Sequence, residues 1–121
     1  MLRTKRIYAE PTPEDGKRYL VDRLRPRGIS KARASLDAWL KDVAPSQELR
    51  RWFDHDPARW EAFQQQYQAE LRQGAAWEVV EKLGRESLQG TVTLLYAAKD
   101  ETLNNAACLK TIIETLQRPA T

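Results

Sequence analysis

Features that usually reveal a protein's chemistry are scarce in this sequence. Its 121 residues include one cysteine, Cys108, so a disulfide within the chain is excluded. The five glycines form neither GxGxxG nor GxxxxGKS/T, which removes the usual sequence support for dinucleotide or nucleoside triphosphate binding. The only histidine, His55, and the distant cysteine do not match the ligand spacing of a zinc site. The sequence therefore predicts no bound metal and no cofactor.

Long apolar runs are also absent. No stretch approaches the roughly 18 apolar residues of a membrane-spanning helix. The charged segment Met1–Ile7 is not followed by the apolar core of a secretory signal. With 41% hydrophobic and 31% charged residues, the composition is that of a globular protein. We expect residues 1–121 to form a single domain that works in the cytoplasm and has no membrane partner.

Charge is unevenly distributed, although the net value is only +3 at pH 7. Residues 1–33 contain ten lysines and arginines against four acidic residues, whereas the remainder contains ten against thirteen. A basic first third can attract nucleic acid or an anionic metabolite. Strands and loops with solvated lysines and arginines would give the same surplus, so it does not by itself identify a binding surface.

Three segments have the apolar and β-branched composition of strands. They are Lys5–Tyr8, Lys17–Leu24 and Thr91–Tyr96, of which the last is expected to be central and buried on both faces. The segment Leu36–Val43 has apolar residues at helical spacing, but it is short and runs into Ala44-Pro45, where extended geometry is favoured. A strand and a short helix both remain open for it.

Helical signals dominate the middle and the end of the chain. Four helices are predicted: one capped by Ser46 over Gln47–Phe53, one from Asp56-Pro57 to Gly74, one over Ala75–Leu88 and one over Leu103–Leu116. Residues Arg118–Thr121 are predicted to be a frayed tail. The residues expected to face inward include Leu49, Trp52, Phe53, Trp60, Phe63, Tyr67, Leu109, Ile112 and Leu116, and their aromatic members are expected in the core rather than on a base-stacking surface.

Strands near both ends of the chain around a helical middle are typical of a layered α/β fold. We predict a small α/β protein with a mostly parallel or mixed sheet of about four strands and with helices packed on it.

Three arginines stand at alternate positions where the second predicted strand ends. Arg23, Arg25 and Arg27 are followed by Gly28, and alternate residues of an extended chain point to one face. Such a row suits a phosphate or a carboxylate, which arginine binds through two parallel hydrogen bonds. It equally suits a network of surface ion pairs.

A second polar cluster follows the last predicted strand. Ligand sites of open α/β sheets lie outside the carboxyl ends of the strands, and the free N–H groups of a helix start can hold an anion. Taken singly, Asp100 or Asn104 is more simply explained as a helix cap. We expect residues of both segments to line one ligand-binding pocket: Arg23, Arg27, Lys99, Asp100, Asn104 and Asn105.

The sequence leaves open whether this pocket catalyses a reaction. If it does, Asp22, Asp100 and Tyr96 are the candidates for proton transfer. His55 lies between two aspartates and is expected to be a turn residue. Cys108 has no base beside it in sequence and is expected to pack on a helix face.

Short blocks along almost the whole chain form a specific combination. They are Lys5–Tyr8, Val21–Leu24, Pro26–Gly28, Leu36–Lys41, Ala44–Ser46, Leu49–Phe53, His55–Trp60, Phe63, Thr93–Asp100 and Asn104–Ala106. With these blocks the chain resembles the YeaO-like branch of the bacterial domain-of-unknown-function family 488. The resemblance implies a compact α/β domain of the bacterial cytoplasm and brings no established activity. It also implies an extended conformation for the block Leu36–Lys41.

Two positions depart from that family pattern. Arg25 stands where the family usually has tryptophan, and Asn105 lies near a position that is often histidine. Arg23 and Arg27 match the pattern. Arg25, the middle arginine of the row, is therefore expected to be particular to this chain.

The leading functional hypothesis is binding of a small anionic or nucleotide-like ligand at the strand ends. The alternatives are a nucleic-acid-binding module that uses the basic first third, and a protein–protein adaptor without catalysis. A module that binds nucleic acid through phosphate contacts would lose affinity steeply with salt. The oligomeric state is left open.

Overall fold

A computed structural model describes residues 1–117 of the chain. The strands in this part are β1 (Leu2–Arg6), β2 (Lys17–Leu20), β3 (Ala38–Trp39) and β4 (Val92–Tyr96). The α-helices are α1 (Lys31–Ala34), α2 (Gln47–Phe53), α3 (Trp60–Leu71), α4 (Ala76–Gln89) and α5 (Asn105–Gln117). Short 3-10 turns cover Pro13–Asp15, Lys41–Val43 and Pro57–Arg59.

All strands of the sheet are parallel, in the order β1-β4-β2-β3. Val92 of β4 lies beside Leu2 on one side and beside Lys17 on the other. Every residue of β4 is buried, as expected for the central strand of a sheet covered on both faces. The prediction of a small α/β fold with about four strands is confirmed.

The two faces of the sheet have unequal cover. Side chains of one face, among them Tyr19, Val21 and Leu94, join the main core with residues of α2 to α5 such as Leu109. The opposite face carries a smaller cluster of Ile7, Leu20, Ala34 and Leu95, covered by α1 and neighbouring loops. The chain leaves β2 toward α1 and leaves β4 toward α5, so these adjacent strands send their connections to opposite faces.

An ion cluster completes the smaller layer. The Asp15 carboxylate is fully buried and accepts hydrogen bonds from Arg18 (2.6 Å) and Lys5 (3.1 Å). The backbone carbonyl of Asp15 accepts a hydrogen bond from the Thr93 hydroxyl (2.7 Å), which ties the turn to β4. Gly16 follows with φ of 61°, and a side chain there would stand 2.1 Å from the carbonyl oxygen of Thr91. Only glycine fits this approach of the turn to the sheet.

Polar contacts join α2 and α3 to each other and to the segment before α2. The Ser46 hydroxyl accepts the Leu49 N–H (3.1 Å), which confirms the predicted N-cap of α2. The Glu70 carboxylate of α3 accepts hydrogen bonds from the backbone N–H and the hydroxyl of Ser46. The buried Tyr67 hydroxyl donates to the Val43 carbonyl. These contacts hold the start of α2 against α3.

Strand boundaries differ from those predicted. The first strand is Leu2–Arg6 rather than Lys5–Tyr8, because its ladder with β4 begins at Leu2. The second strand ends at Leu20 rather than Leu24. Beyond Leu20, the Ala97 N–H donates to the Asp22 side chain instead of to a backbone carbonyl of a continued strand. The open segment Leu36–Val43 contains both a short strand and a 3-10 turn.

Two side chains predicted to face inward are exposed. Trp52 is 38% exposed because α2 buries only the narrow face that carries Leu49 and Phe53. The Arg59 guanidinium lies over the exposed Trp52 ring, 5.2 Å from its centroid. Leu116 is 45% exposed because Gln117, and not Leu116, faces α4 in the last turn of α5. The Gln117 side chain donates to the Gly84 carbonyl of α4. Both predictions of burial are wrong.

The predicted tail Arg118–Thr121 lies outside the described residues. Between residues 1 and 117, no helix is both long and apolar enough to cross a membrane.

Candidate functional site

A cleft of about 750 Å³ opens at the carboxyl ends of β2 and β4. Its walls come from the loop after β2, the loop after β4, and α2 and α3. Because the connections of β2 and β4 leave toward opposite faces of the sheet, a crevice forms between them. This is the usual place of a ligand site in an open parallel sheet.

The cleft brings the predicted site residues together. Its lining includes all six of them: Arg23, Arg27, Lys99, Asp100, Asn104 and Asn105. About 75 residues of sequence separate the two groups, and the adjacency of β2 and β4 closes that distance. Their role in holding a ligand stays a prediction.

Three contacts fix the arginine-bearing loop after β2. The Arg23 Nε donates to the Pro45 carbonyl (3.0 Å), and the Trp39 indole N–H donates to the Asp22 carbonyl (2.6 Å). At the far end the Tyr8 hydroxyl donates to the Arg27 carbonyl (2.8 Å). The loop is thus held at both ends while the side chains of Arg25 and Arg27 stay exposed at the cleft.

The polar residues after β4 mainly shape their own loop. The Asp100 carboxylate accepts the N–H groups of Thr102 and Leu103, both at 2.9 Å, and these bonds lower the pKa of Asp100. The Asn104 side chain caps α5 by accepting the Ala107 N–H (2.8 Å). Asn104 therefore has the helix-capping role that the sequence allowed, whereas Asp100 stabilises the turn before α5 and does not cap the helix.

Asp22 and Asn105 join the two strand ends. The Asn105 amide donates to the Val21 carbonyl, and the Ala97 N–H donates to the Asp22 carboxylate, both at 2.8 Å. Burial raises the pKa of Asp22, whereas the hydrogen bonds from Ala97 and Asn105 and the charge of Arg50 act in the opposite direction. The carboxylate at the base of the cleft is thus held by backbone and amide donors.

The charge balance of the cleft is positive. Three carboxylates, Asp22, Asp54 and Asp100, face five cationic side chains: Arg23, Arg25, Arg27, Arg50 and Lys99. Within residues 1–117, none of these five cations forms an ion pair. Anions are the complement of such a surface.

Helices α2 and α3 supply parts of the cleft that were not predicted from the sequence. Arg50 projects from α2, and the rings of Phe53 and Phe63 form an apolar wall with centroids 4.6 Å apart. His55 follows α2 and also lines the cleft. Nothing in the local sequence distinguishes Arg50 from Arg51, because only the packing of α2 decides which one faces the cleft.

Other candidates lie away from the cleft. Tyr96 is buried and does not line it, and burial is the main cause of its raised pKa. Cys108 packs on α5, as expected from the sequence. Over the described 117 residues, no group of three or more histidine, cysteine or acidic side chains is placed to hold a metal ion.

Comparison with known proteins gives relatives over nearly the whole chain. The chain is 40% identical over 112 residues to the uncharacterised protein Rv3073c of Mycobacterium tuberculosis (strain ATCC 25618 / H37Rv), covering 93% of this chain and 92% of that protein. It is 41% identical over 108 residues to the uncharacterised protein YeaO of Escherichia coli (strain K12), covering 89% and 92%. No solved structure gives a significant match.

A family model matches residues 1–120 and is described as the inactive DUF488-N3 subclade. This match and the two relatives agree with the resemblance found in the sequence blocks. The chain therefore belongs to the DUF488-N3i family, the inactive DUF488-N3 subclade.

Proposed function

We propose that the cleft binds a small anionic or nucleotide-like ligand and does not transform it. The observation that carries the proposal is the convergence of five cations on one crevice, none of them ion-paired within the described part of the chain. Like charges held together repel one another, and a bound anion would offset that repulsion. The fixed loop after β2 presents guanidinium groups, which suit phosphate or carboxylate oxygens.

Size and lining favour a ligand larger than a simple oxyanion. A volume of about 750 Å³ lies within the range of small-molecule sites, roughly 300–1,000 Å³. Phe53, Phe63 and Leu103 add apolar side chains to the charged lining of the cleft. A planar ring that carries a phosphate would use both parts of the lining.

The candidate acids and bases are already engaged in the fold. Asp22 accepts the Ala97 N–H, Asp100 accepts two N–H groups of its own loop, and Tyr96 lies outside the cleft. The description of the family as inactive agrees with a binding role. We therefore favour recognition over catalysis, in the cytoplasmic setting that the sequence suggests.

Nucleic-acid binding through the first third of the chain has less support. Arg3, Lys5 and Arg18 surround Asp15, Lys17 pairs with Glu86, and Arg6 donates to the carbonyls of Ala97 and Ala98. With Arg23, which donates to the Pro45 carbonyl, six of the ten basic side chains in this segment are thus used within the fold. Of the other four, Arg25 and Arg27 line the cleft, whereas Lys31 and Arg33 lie on α1.

The test compares two neighbouring arginines of α2. Titration of ¹⁵N-labelled protein with inorganic phosphate and with adenosine monophosphate, at fixed ionic strength, is expected to shift resonances of residues 22–28 and 97–105. Arg50→Ala is expected to weaken binding about tenfold, the effect of losing one hydrogen bond to a charged group. Arg51→Ala removes the same charge from a position that does not line the cleft and should leave the affinity nearly unchanged.

Two results would count against the proposal. One is an equal loss of affinity in Arg50→Ala and Arg51→Ala, which would show a general charge effect. The other is tighter binding of a single-stranded oligonucleotide than of the mononucleotide, with shifts centred on Lys31 and Arg33 of α1 and with steep salt dependence. Tighter binding of adenosine monophosphate than of phosphate would support the ring-plus-anion ligand.

A further inference from the structure

Tyr8 lies in the turn that follows β1, at the same edge of the sheet as the cleft. Beyond β1 the Ile7 N–H still donates to the Tyr96 carbonyl (2.7 Å). The Ala9 N–H then donates to the Arg6 carbonyl (3.1 Å), which closes the turn. Because β1 and β4 are parallel, their carboxyl ends meet at one edge. A third strand end thus contributes to the cleft, through the side chain of Tyr8.

Two contacts hold the Tyr8 ring in place. Its hydroxyl donates to the Arg27 carbonyl (2.8 Å), in the loop after β2. The Arg6 guanidinium carbon lies 5.2 Å from the ring centroid, within the range of a cation–π contact. Arg6 is held in turn by the carbonyls of Ala98 (2.9 Å) and Ala97 (3.2 Å). Since the ring is already positioned, a ligand that binds against it loses little free energy to ordering the side chain.

The Tyr8 ring is also open to solvent. Tyr8 is 39% exposed, whereas Phe53 and Phe63, the phenylalanines of the cleft lining, are buried. Those two rings pack on each other and on the main core. A flat ligand ring that enters the cleft therefore finds an accessible aromatic surface at Tyr8 and little at the phenylalanines.

We propose that Tyr8 stacks on the planar ring of the ligand and that the cleft consequently takes a nucleoside monophosphate in preference to a phosphorylated sugar. The inference rests on the proposed function, because it names the residue that recognises the ring within the same site. Stacking of a base on an aromatic side chain uses the π face of the base and needs no particular hydrogen bonds. The hydrogen bond to Arg27 places the Tyr8 ring beside the arginine-bearing loop, where the phosphate would be held.

The same two contacts would suit a tyrosine that serves only to fix the loop after β2. That role uses the hydroxyl, because it is the hydroxyl that reaches the Arg27 carbonyl. Stacking uses the ring. Tyr8→Phe and Tyr8→Leu both remove the hydroxyl, and only the leucine variant removes the ring as well. The two variants therefore separate the two roles.

The experiment measures the affinities of adenosine monophosphate and ribose 5-phosphate by calorimetric titration at pH 8 and fixed ionic strength. The two probes carry the same phosphate group and differ by the base. The wild-type protein and Tyr8→Phe are expected to bind adenosine monophosphate about tenfold more tightly than ribose 5-phosphate, the effect of stacking one base. In Tyr8→Leu this ratio is expected to fall to about twofold or less, while ribose 5-phosphate binds as it does to Tyr8→Phe.

Trp52→Leu is the matched control. Trp52 is 38% exposed and has the Arg59 guanidinium 5.2 Å from its ring centroid, much as Tyr8 has Arg6, but it does not line the cleft. The ratio of the two affinities is expected to persist in this variant. An equal fall of the ratio in Trp52→Leu would show stacking on exposed aromatic rings in general and would overturn the role of Tyr8.

Other results of the titrations would also overturn the inference. Equal affinities of the two probes for the wild-type protein, or an unchanged ratio in Tyr8→Leu, would do so and leave anion binding in the cleft intact. Loss of both probes in Tyr8→Phe and Tyr8→Leu alike would show that Tyr8 serves only the loop. If neither probe binds to the wild-type protein, the proposed function fails as well.

A measurement on the wild-type protein alone does not depend on whether the leucine variant folds. At saturation with adenosine monophosphate, the ring-proton resonances of Tyr8 are expected to move upfield, because a stacked base shields them. Ribose 5-phosphate has no ring current and should not move them in this way. His55 also lines the cleft and is exposed. Upfield shifts at the His55 ring with none at Tyr8 would assign the stacking to the histidine and overturn the proposal.

Discussion

The pKa values of two aspartates, Asp15 and Asp22, are shifted in opposite directions by their surroundings. Burial of Asp15 acts to raise its pKa, but hydrogen bonds from the Thr12 backbone, Lys5 and Arg18 outweigh that effect and lower the pKa to about 2. Asp22 has fewer charged partners, and there burial prevails and raises the pKa. Asp15 is a structural anion, whereas Asp22 lies at the base of a cleft that can admit other charges.

The lowered pKa of Asp15 gives its contribution to stability a defined pH range. Its pKa falls from 3.8 in the unfolded chain to about 2, so its contribution is present above pH 4 and is lost as the pH falls toward 2. The shift corresponds to about 2 kcal/mol. We expect urea unfolding to show wild type more stable than Asp15→Asn at pH 7, with the difference shrinking by that amount between pH 4 and pH 2. A difference independent of pH would contradict the ion cluster.

At the scale of elements, the local sequence is enough to predict a helix or strand whose burial follows from its own pattern of apolar and capping residues. The run Thr91–Tyr96 predicts a buried central strand because all of its residues are apolar, β-branched or aromatic. Ser46 predicts the start of α2 because its hydroxyl can cap a helix. The predictions that Leu116 and Trp52 are buried are wrong, because apolar residues at helical spacing identify one face of a helix. They do not show how much of that face the neighbouring elements cover. The length of β1 depends on its pairing with β4, which local sequence does not contain.

Substitution of two leucines tests how much the central strand β4 contributes to stability. Leu95 of β4 is fully buried in the smaller core cluster, whereas Leu88 of α4 is 74% exposed. Leu95→Ala is expected to lower the free energy of unfolding by about 2–5 kcal/mol, and Leu88→Ala to change it by less than about 0.5 kcal/mol. Chemical denaturation of both variants measures the contrast. A loss below about 1 kcal/mol for Leu95→Ala would mean that β4 is peripheral to stability.

At the scale of the whole molecule, the cleft was only partly predictable. The grouping of Arg23 and Lys99 follows from one rule, that carboxyl ends of parallel strands share an edge. Arg50 and His55 enter the same cleft because contacts such as Tyr67 with Val43 and Glu70 with Ser46 fix the position of α2, and no local signal encodes that position. The single-domain organisation and the cytoplasmic location stay predictions.

The one cysteine reports on the integrity of the whole fold. Cys108 is 3% exposed, and burial raises its pKa to about 12. Reaction with a thiol reagent at pH 8 is expected to be negligible in the native protein and complete in concentrated urea, since the thiolate is the reactive form. The labelling rate in water should then follow global unfolding. Rapid labelling of the native protein would show that α5 opens locally.

The parallel pairing of β1 with β4 has a consequence for how the protein is made. Leu2 lies beside Val92, so the partner of the first strand leaves the ribosome about 90 residues later, after roughly 5–20 s of synthesis. β2 has an earlier partner on its other side, since Tyr19 pairs with Ala38 of β3. The centre of the sheet is completed only when β4 has been made, and contacts of such long sequence separation form slowly. Until then the edges of β1 and β2 that face β4 stay unpaired, and unpaired strand edges are prone to aggregation.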